Sequence, residues 1–170
     1  MKRKIETKNY IILLIVIVVT IFAVFYARSW YITGIEYREN NSIMSSTISQ
    51  INENEITNCL SENPNAVIYA SSGEDTEVKD FERKFQKLII KYSLVNQFLY
   101  VNLDTSSDSF VSTLRSFAVS ADVSNKVNNT SASIYIFKNG NLTQVVDNAD
   151  TIGTEQIIKI LKEYGVIDGE

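Results

Sequence analysis

Apolar and polar positions alternate in three distinct ways along this chain, and each predicts a different element. Residues 10–27 (YIILLIVIVVTIFAVFYA) are apolar without interruption and carry no charge. At about 1.5 Å per residue such a run makes a helix of roughly 27 Å, close to the hydrocarbon thickness of a bilayer. Thirteen of its residues are Ile, Leu, Val or Phe, favouring membrane partition by roughly 4–8 kcal/mol. Tyr10, Tyr26 and Trp30 bracket the run, where amphipathic rings prefer the interface.

Beyond it the pattern changes to short apolar runs separated by helical stripes. Residues 28–45 show no sustained period and read as a juxtamembrane stalk. Residues 46–50 suit a short first strand. Asn52 starts a helix with Glu55 as its reciprocal cap; Ile56, Cys59 and Leu60 supply the apolar face, and Asn63-Pro64 stops it. Residues 66–70 (AVIYA) suit a central strand, broken by Ser71-Ser72-Gly73. A long helix is expected from about Glu74. Its apolar stripe is Val78, Phe81, Phe85, Leu88, Ile89 and Tyr92, and Lys79, Asp80, Glu82, Arg83, Lys84 and Lys87 form the opposite, solvated face.

Residues 98–103 (FLYVNL) read as the next strand. Asp108 is placed to cap a helix carrying Phe110, Val111, Leu114, Phe117 and Ala118, and residues 121–130 read as a polar loop. Residues 133–138 and 141–146 flank Asn139-Gly140, a pair that accepts positive φ at both positions of a tight hairpin turn. A last helix runs from about Thr154 with Ile157, Ile158, Ile160, Leu161 and Tyr164 inward. The order β-α-β-α-β-α-β-β-α predicts an α/β fold, a mixed five-stranded sheet with helices on both faces. The domain plan is a basic N-terminus (1–9), an anchor (10–27), a stalk (28–45) and one α/β domain (46–170).

Charge orients the anchor. Lys2, Arg3, Lys4 and Lys8 precede it, against Arg28 and Arg38 after it, so the N-terminus is expected in the cytoplasm and the domain outside the membrane. A cleaved signal peptide is disfavoured because Phe25 and Ala27 poorly fit a cleavage site. Ala23 and Ala27 form a small-xxx-small pair, a weak dimerisation signal. Residues 1–28 carry a net +4, which leaves −8 on the remainder of a chain with net charge −4. An acidic exported domain argues against nucleic acid as a partner. Abundant Asn, Ile, Ser and Lys with a single Pro suggest a low-GC bacterial source.

Composition also removes chemistry. The chain has no histidine and one cysteine, Cys59, which excludes Ser/His and Cys/His nucleophile pairs, His-ligated metals, an intrachain disulfide and Cys-x-x-Cys. Glu74, Asp75 and Glu77 read as helix-capping acids rather than cation ligands, and Ser106, Ser107, Asp108 and Ser109 have no base beside them. No metal or cofactor is expected. Cys59, between Ile56 and Leu60, reads as a small buried hydrophobe.

The order and spacing of three segments resemble the thioredoxin-like family over about residues 46–166. AVIYASS runs into a long helix, FLYVNLD follows it, and SASIYIFKNGNL is similar to the family's Thr-Pro-Thr segment, hydrophobic strand and Lys-Asn-Gly hairpin. The family's chemistry rests on Cys-x-x-Cys at the start of the long helix, where the dipole lowers the first thiol's pKa. Setting the aromatic-Glu pair that follows the motif on Phe81 and Glu82 places the motif on Asp75, Thr76, Glu77 and Val78. The family's cis-proline falls on Ala132, where a trans bond is expected.

The resemblance therefore implies a membrane-anchored, extracytoplasmic thioredoxin-like protein without a redox site. Such a protein would be a binding or accessory module rather than an enzyme. Its protein or peptide partner would meet Ser71, Ser72, Gly73, Glu74, Asp75, Ser131 and Ser133, beside the family's substrate groove. Two other readings fit the same residues: an atypical thiol-disulfide oxidoreductase using Cys59, and a structural subunit of an envelope secretion, bacteriocin-handling or division complex.

Overall fold

The computed structural model describes residues 7–39, 42–73, 75–130 and 132–167. The chain divides into two units, Met1–Tyr37 and Arg38–Glu170. The first is one helix, α1 (Thr7–Glu39). Its stretch Lys8–Gly34 contains an 18-residue window of mean hydropathy 2.9 with no buried side chain, so it is long and apolar enough to cross a membrane. Helix continues twelve residues beyond Ala27. The expected irregular spacer is therefore helical as far as Glu39, because residues 28–39 contain no proline and only Gly34 to weaken a continuing backbone ladder.

The second unit builds its sheet in the order β1-β3-β2-β4-β5. The strands are β1 (Ser49–Gln50), β2 (Val67–Ser71), β3 (Phe98–Asn102), β4 (Ser133–Lys138) and β5 (Asn141–Val146). β1, β3 and β2 are parallel, and β4 pairs antiparallel with β2 and with β5. The expected mixed five-stranded sheet is what forms, with the hairpin at one edge. Asn139 (φ 53°) and Gly140 (φ 77°) are both left-handed, which fits the two-residue hairpin turn. β1 is only two residues, because residues 44–46 form a short 3-10 turn instead of strand.

Helices cover both faces. On one face α3 (Thr76–Lys91), α6 (Ala149–Ile152) and α7 (Thr154–Glu163) enclose an aromatic core of Tyr69, Phe81, Phe85, Phe98 and Tyr100. Phe85 lies 5.2 Å from Tyr69, 5.3 Å from Phe81 and 5.7 Å from Phe98 between ring centroids. Such ring pairs each contribute about 0.5–1.5 kcal/mol beyond area burial. On the other face α2 (Ile56–Glu62), α4 (Ser109–Ser116) and α5 (Ala121–Lys126) pack around Ile56, Leu60, Phe110, Leu114 and Tyr135.

Three local expectations give way to tertiary context. Residues 121–126 form α5 rather than loop; the Ser120 hydroxyl accepts from the Val123 amide, and the helix packs on α4 and β5. Asp108 makes no side-chain cap for α4. The Ser107 hydroxyl does that work, accepting the Ser109 amide at 3.3 Å, and Glu53 holds Ser107 across space, accepting from the Ser107 amide at 2.8 Å, the Ser109 hydroxyl at 3.0 Å and the Ser107 hydroxyl. Glu82, expected on the solvated face of α3, is fully buried. The Asn52–Glu55 cap forms as expected, with the Asn52 amide donating to Glu55 Oε2 at 2.8 Å, although its first turn is 3-10 and α2 proper begins at Ile56.

Candidate functional site

The end of β2, the start of α3 and the residue before β4 meet at one end of the sheet. The β2–β4 register pairs Ala70 with Ser133, which brings Ser71 beside Ala132. Sequence had assigned the motif and the proline position to separate segments, and the sheet joins them. Glu74 and Ser131 lie outside the described residues.

At the helix start, Asp75 is the N-cap. Its Oδ1 accepts from the Glu77 amide at 2.9 Å and the Val78 amide at 3.4 Å. A carboxylate is well suited there, because it satisfies orphan amides and meets the positive end of the dipole. Thr76 and Glu77 are exposed, whereas Val78 is 1% exposed and belongs to the aromatic core. The four motif positions thus hold a cap, two solvated residues and a core residue.

The loop after β2 is clamped from β3. Asp104 accepts the Ser72 hydroxyl on Oδ1 at 2.5 Å and the Gly73 amide on Oδ2 at 2.8 Å. Asp104 is itself positioned by the Asn102 side chain, whose Oδ1 accepts the Asp104 amide at 2.9 Å. The Ser71 carbonyl accepts from the Leu103 amide at 2.9 Å and from the Tyr100 hydroxyl at 3.3 Å. Of the residues named from sequence as a partner surface, Ser71, Gly73 and Ser133 are buried, Ser72 is half-buried and Asp75 is exposed. Among the described residues, accessible contact area at this end therefore comes from Ser72 and Asp75, with Thr76 and Glu77 beside them.

Beneath the loop lies Glu82. Its Oε1 accepts from the Ser71 hydroxyl at 2.6 Å and the Tyr69 hydroxyl at 3.1 Å, while Oε2 is buried and makes no hydrogen bond. Burial raises its pKa above the ordinary carboxylate value, against the Ser71 and Tyr69 hydroxyls, the Ile43 amide and the Lys79 ammonium, which lower it. Burial likewise raises the Tyr100 phenol to about 12. Sequence reasoning missed both acids. For Glu82 a signal existed: Val78, Glu82, Phe85 and Ile89 are spaced as one helical stripe. For Asp104 there was none, since its role depends on the β2–β3 pairing.

Ala132 has φ +56°, a left-handed backbone that costs an alanine roughly 1–2 kcal/mol. It is fully buried, and its carbonyl accepts from the Ala149 amide at 2.6 Å. Cys59 is half-buried on α2 and packs against the opposite sheet face from α3. Its thiol pKa is raised, first by burial and then by the charges of Glu55 and Glu62. That is the reverse of the electropositive setting that makes a thiol reactive. Among the described residues no cluster of three or more His, Cys, Asp or Glu side chains could hold a metal ion.

No family model and no curated protein matches the chain. Solved structures do. Thioredoxin f2 of Chlamydomonas reinhardtii superposes with a TM-score of 0.54 at 12% identity, over 70% of this chain and 97% of its own. This chain has a thioredoxin-like fold. Mitochondrial thioredoxin 3 of Saccharomyces cerevisiae, in its oxidised form, matches with a TM-score of 0.48 at 20% identity, over 68% of this chain and 97% of its own. Thioredoxin O2 of Arabidopsis thaliana gives 0.47 at 16%, over 72% and 97%. At these identities the likeness establishes the fold alone. The site's chemistry rests on this chain's own residues.

Proposed function

We propose that this chain is a non-catalytic thioredoxin-like binding module, tethered to the cytoplasmic membrane by α1 with its N-terminus inside and its domain outside. One observation carries the reading. The two positions that the resemblance assigns to cysteines are occupied by Asp75, whose carboxylate caps α3, and Val78, which is part of the core. Neither side chain exchanges electrons with a disulfide. Cys59 adds no substitute, because its thiolate is disfavoured and it lies across the sheet.

Tethering is supported by the apolar, fully exposed Lys8–Gly34 stretch and by the basic residues before it, which favour a cytoplasmic N-terminus. A partner that meets the loop end of the sheet finds a rigid surface, since Asp104 and Asp75 already hold the loop and helix start. Preorganised surfaces bind without a large ordering cost. The accessible side chains there include two acids, Asp75 and Glu77, which suits a protein or peptide partner with basic groups.

Site-specific photocrosslinking in native membranes tests this. A crosslinker at exposed Thr76 is expected to capture a protein partner, and one at exposed Ser112, on α4 across the sheet, is expected to capture none. Identical adducts from both positions, or none from Thr76, contradict a binding surface at this end.

A further inference from the structure

A carboxylate oxygen shut away from water without a donor is costly, and more so when charged. Glu82 Oε2 is in that position. Regular structure encloses the acid on most sides: β2 brings the Tyr69 and Ser71 hydroxyls, β3 brings Tyr100, whose hydroxyl bonds the Ser71 carbonyl, and α3 is its own helix. The remaining cover is the irregular segment over residues 42–48. Met44 from that segment is fully buried in the same aromatic core, Ser42 is nearly so, and the Ile43 amide and Ser42 hydroxyl act on Glu82 and Tyr100 respectively.

This cover is the most weakly held wall. It consists of a three-residue 3-10 turn, Met44–Ser46, leading into a strand only two residues long. By side chain, Gln86 Nε2 of α3 donates to Thr47 Oγ1 of this segment at 2.5 Å. We propose that Glu82 and the segment over residues 42–48 form a proton-controlled latch. With the carboxyl neutral the segment stays seated; on ionisation it lifts, because the charged Oε2 then requires water and this wall yields most easily.

The titrating group is well defined. Facing Glu82 are the Tyr69, Ser71 and Tyr100 hydroxyls, the Ile43 amide, and Lys79 from one turn earlier on α3. α6 and α7, which also pack on α3, carry Asp150 and Glu155 in their first turns. Burial moves the Glu82 transition above the ordinary carboxylate range, so the latch opens on alkalinisation and closes on acidification.

The test uses the full chain in micelles. Amide protection factors at Met44 and Ile48, corrected for intrinsic exchange, are followed with pH, and the Glu82 side-chain carbon shift reports its own midpoint. Protection at both amides is expected to fall by up to tenfold per pH unit between the ordinary carboxylate value and that midpoint, the limit for one linked proton, and to level off above it. Glu82→Gln is expected to hold it within twofold throughout. Should that variant fail to fold, the wild-type midpoints decide: segment and carboxyl must titrate together while α7 amides stay protected. Flat protection through the midpoint, a Glu82→Gln profile that follows wild type, or loss across all amides at once overturns the latch.

Discussion

Asp104 and Gly73 are joined by a 2.8 Å hydrogen bond from the glycine amide to Oδ2, and the same carboxylate holds the Ser72 hydroxyl on its other oxygen. One side chain just after β3 thus fixes the loop between β2 and α3. Removing it with Asp104→Ala deletes one charge-assisted bond to a backbone amide and one to a hydroxyl. A loss of about 1–3 kcal/mol is expected, together with faster exchange of the Gly73 amide. Thermal unfolding of the full chain and amide exchange measure both. Unchanged exchange at Gly73 contradicts the clamp.

The resemblance assigns the family's proline to Ala132, yet proline there is expected to harm this chain. Proline fixes φ near −65°, and Ala132 sits at +56° with its carbonyl tied to the Ala149 amide. Ala132→Pro should therefore destabilise by at least about 1 kcal/mol, since the native backbone is incompatible with the ring. Equal or higher melting temperature shows that the left-handed conformation is dispensable.

Glu53, in the turn before α2, links to a residue 54 positions away by holding Ser107, whose hydroxyl in turn accepts the Ser109 amide at the start of α4. Burial pushes its carboxyl pKa up, but the bonds from Ser107 and Ser109 outweigh it and the net shift is downward. A carboxyl lowered in the folded state binds its proton more tightly when unfolded. Its contribution is thus present above the unfolded value and fades as pH falls through the folded one. Glu53→Gln should cost up to about 1 kcal/mol at pH 7, in the range for weakened hydrogen bonds, and the gap from wild type should narrow as pH falls below the ordinary carboxylate value. A gap that widens in acid contradicts this role.

Much of the fold was legible because local chemistry and tertiary context agree. Asn139-Gly140 demands left-handed geometry at both positions and receives it, so the hairpin is right to the residue. The stripe from Val78 to Ile89 is apolar and faces the sheet as its period requires. Where they disagree, packing decides. Residues 121–126 are polar and short, and they become α5 only through the Ser120 cap and contacts with α4 and β5. Glu82 was assigned to solvent by charge, although its spacing set it among Val78, Phe85 and Ile89. Asp104 and Glu53 act through pairings far apart in sequence. The resemblance assigns cysteine positions to Asp75 and Val78, whereas the Asp104 clamp on the neighbouring loop had no signal in the sequence.

Sulfur chemistry is the point on which the functional reading turns. Cys59 is held as a thiol by burial and by Glu55 and Glu62, and Asp75 and Val78 contain no sulfur. Reduction of insulin by the purified full chain, with dithiothreitol as the electron source, is the direct measurement. The expected rate equals that of dithiothreitol alone and does not change in Cys59→Ser. A rate clearly above it that disappears in Cys59→Ser contradicts a non-catalytic module.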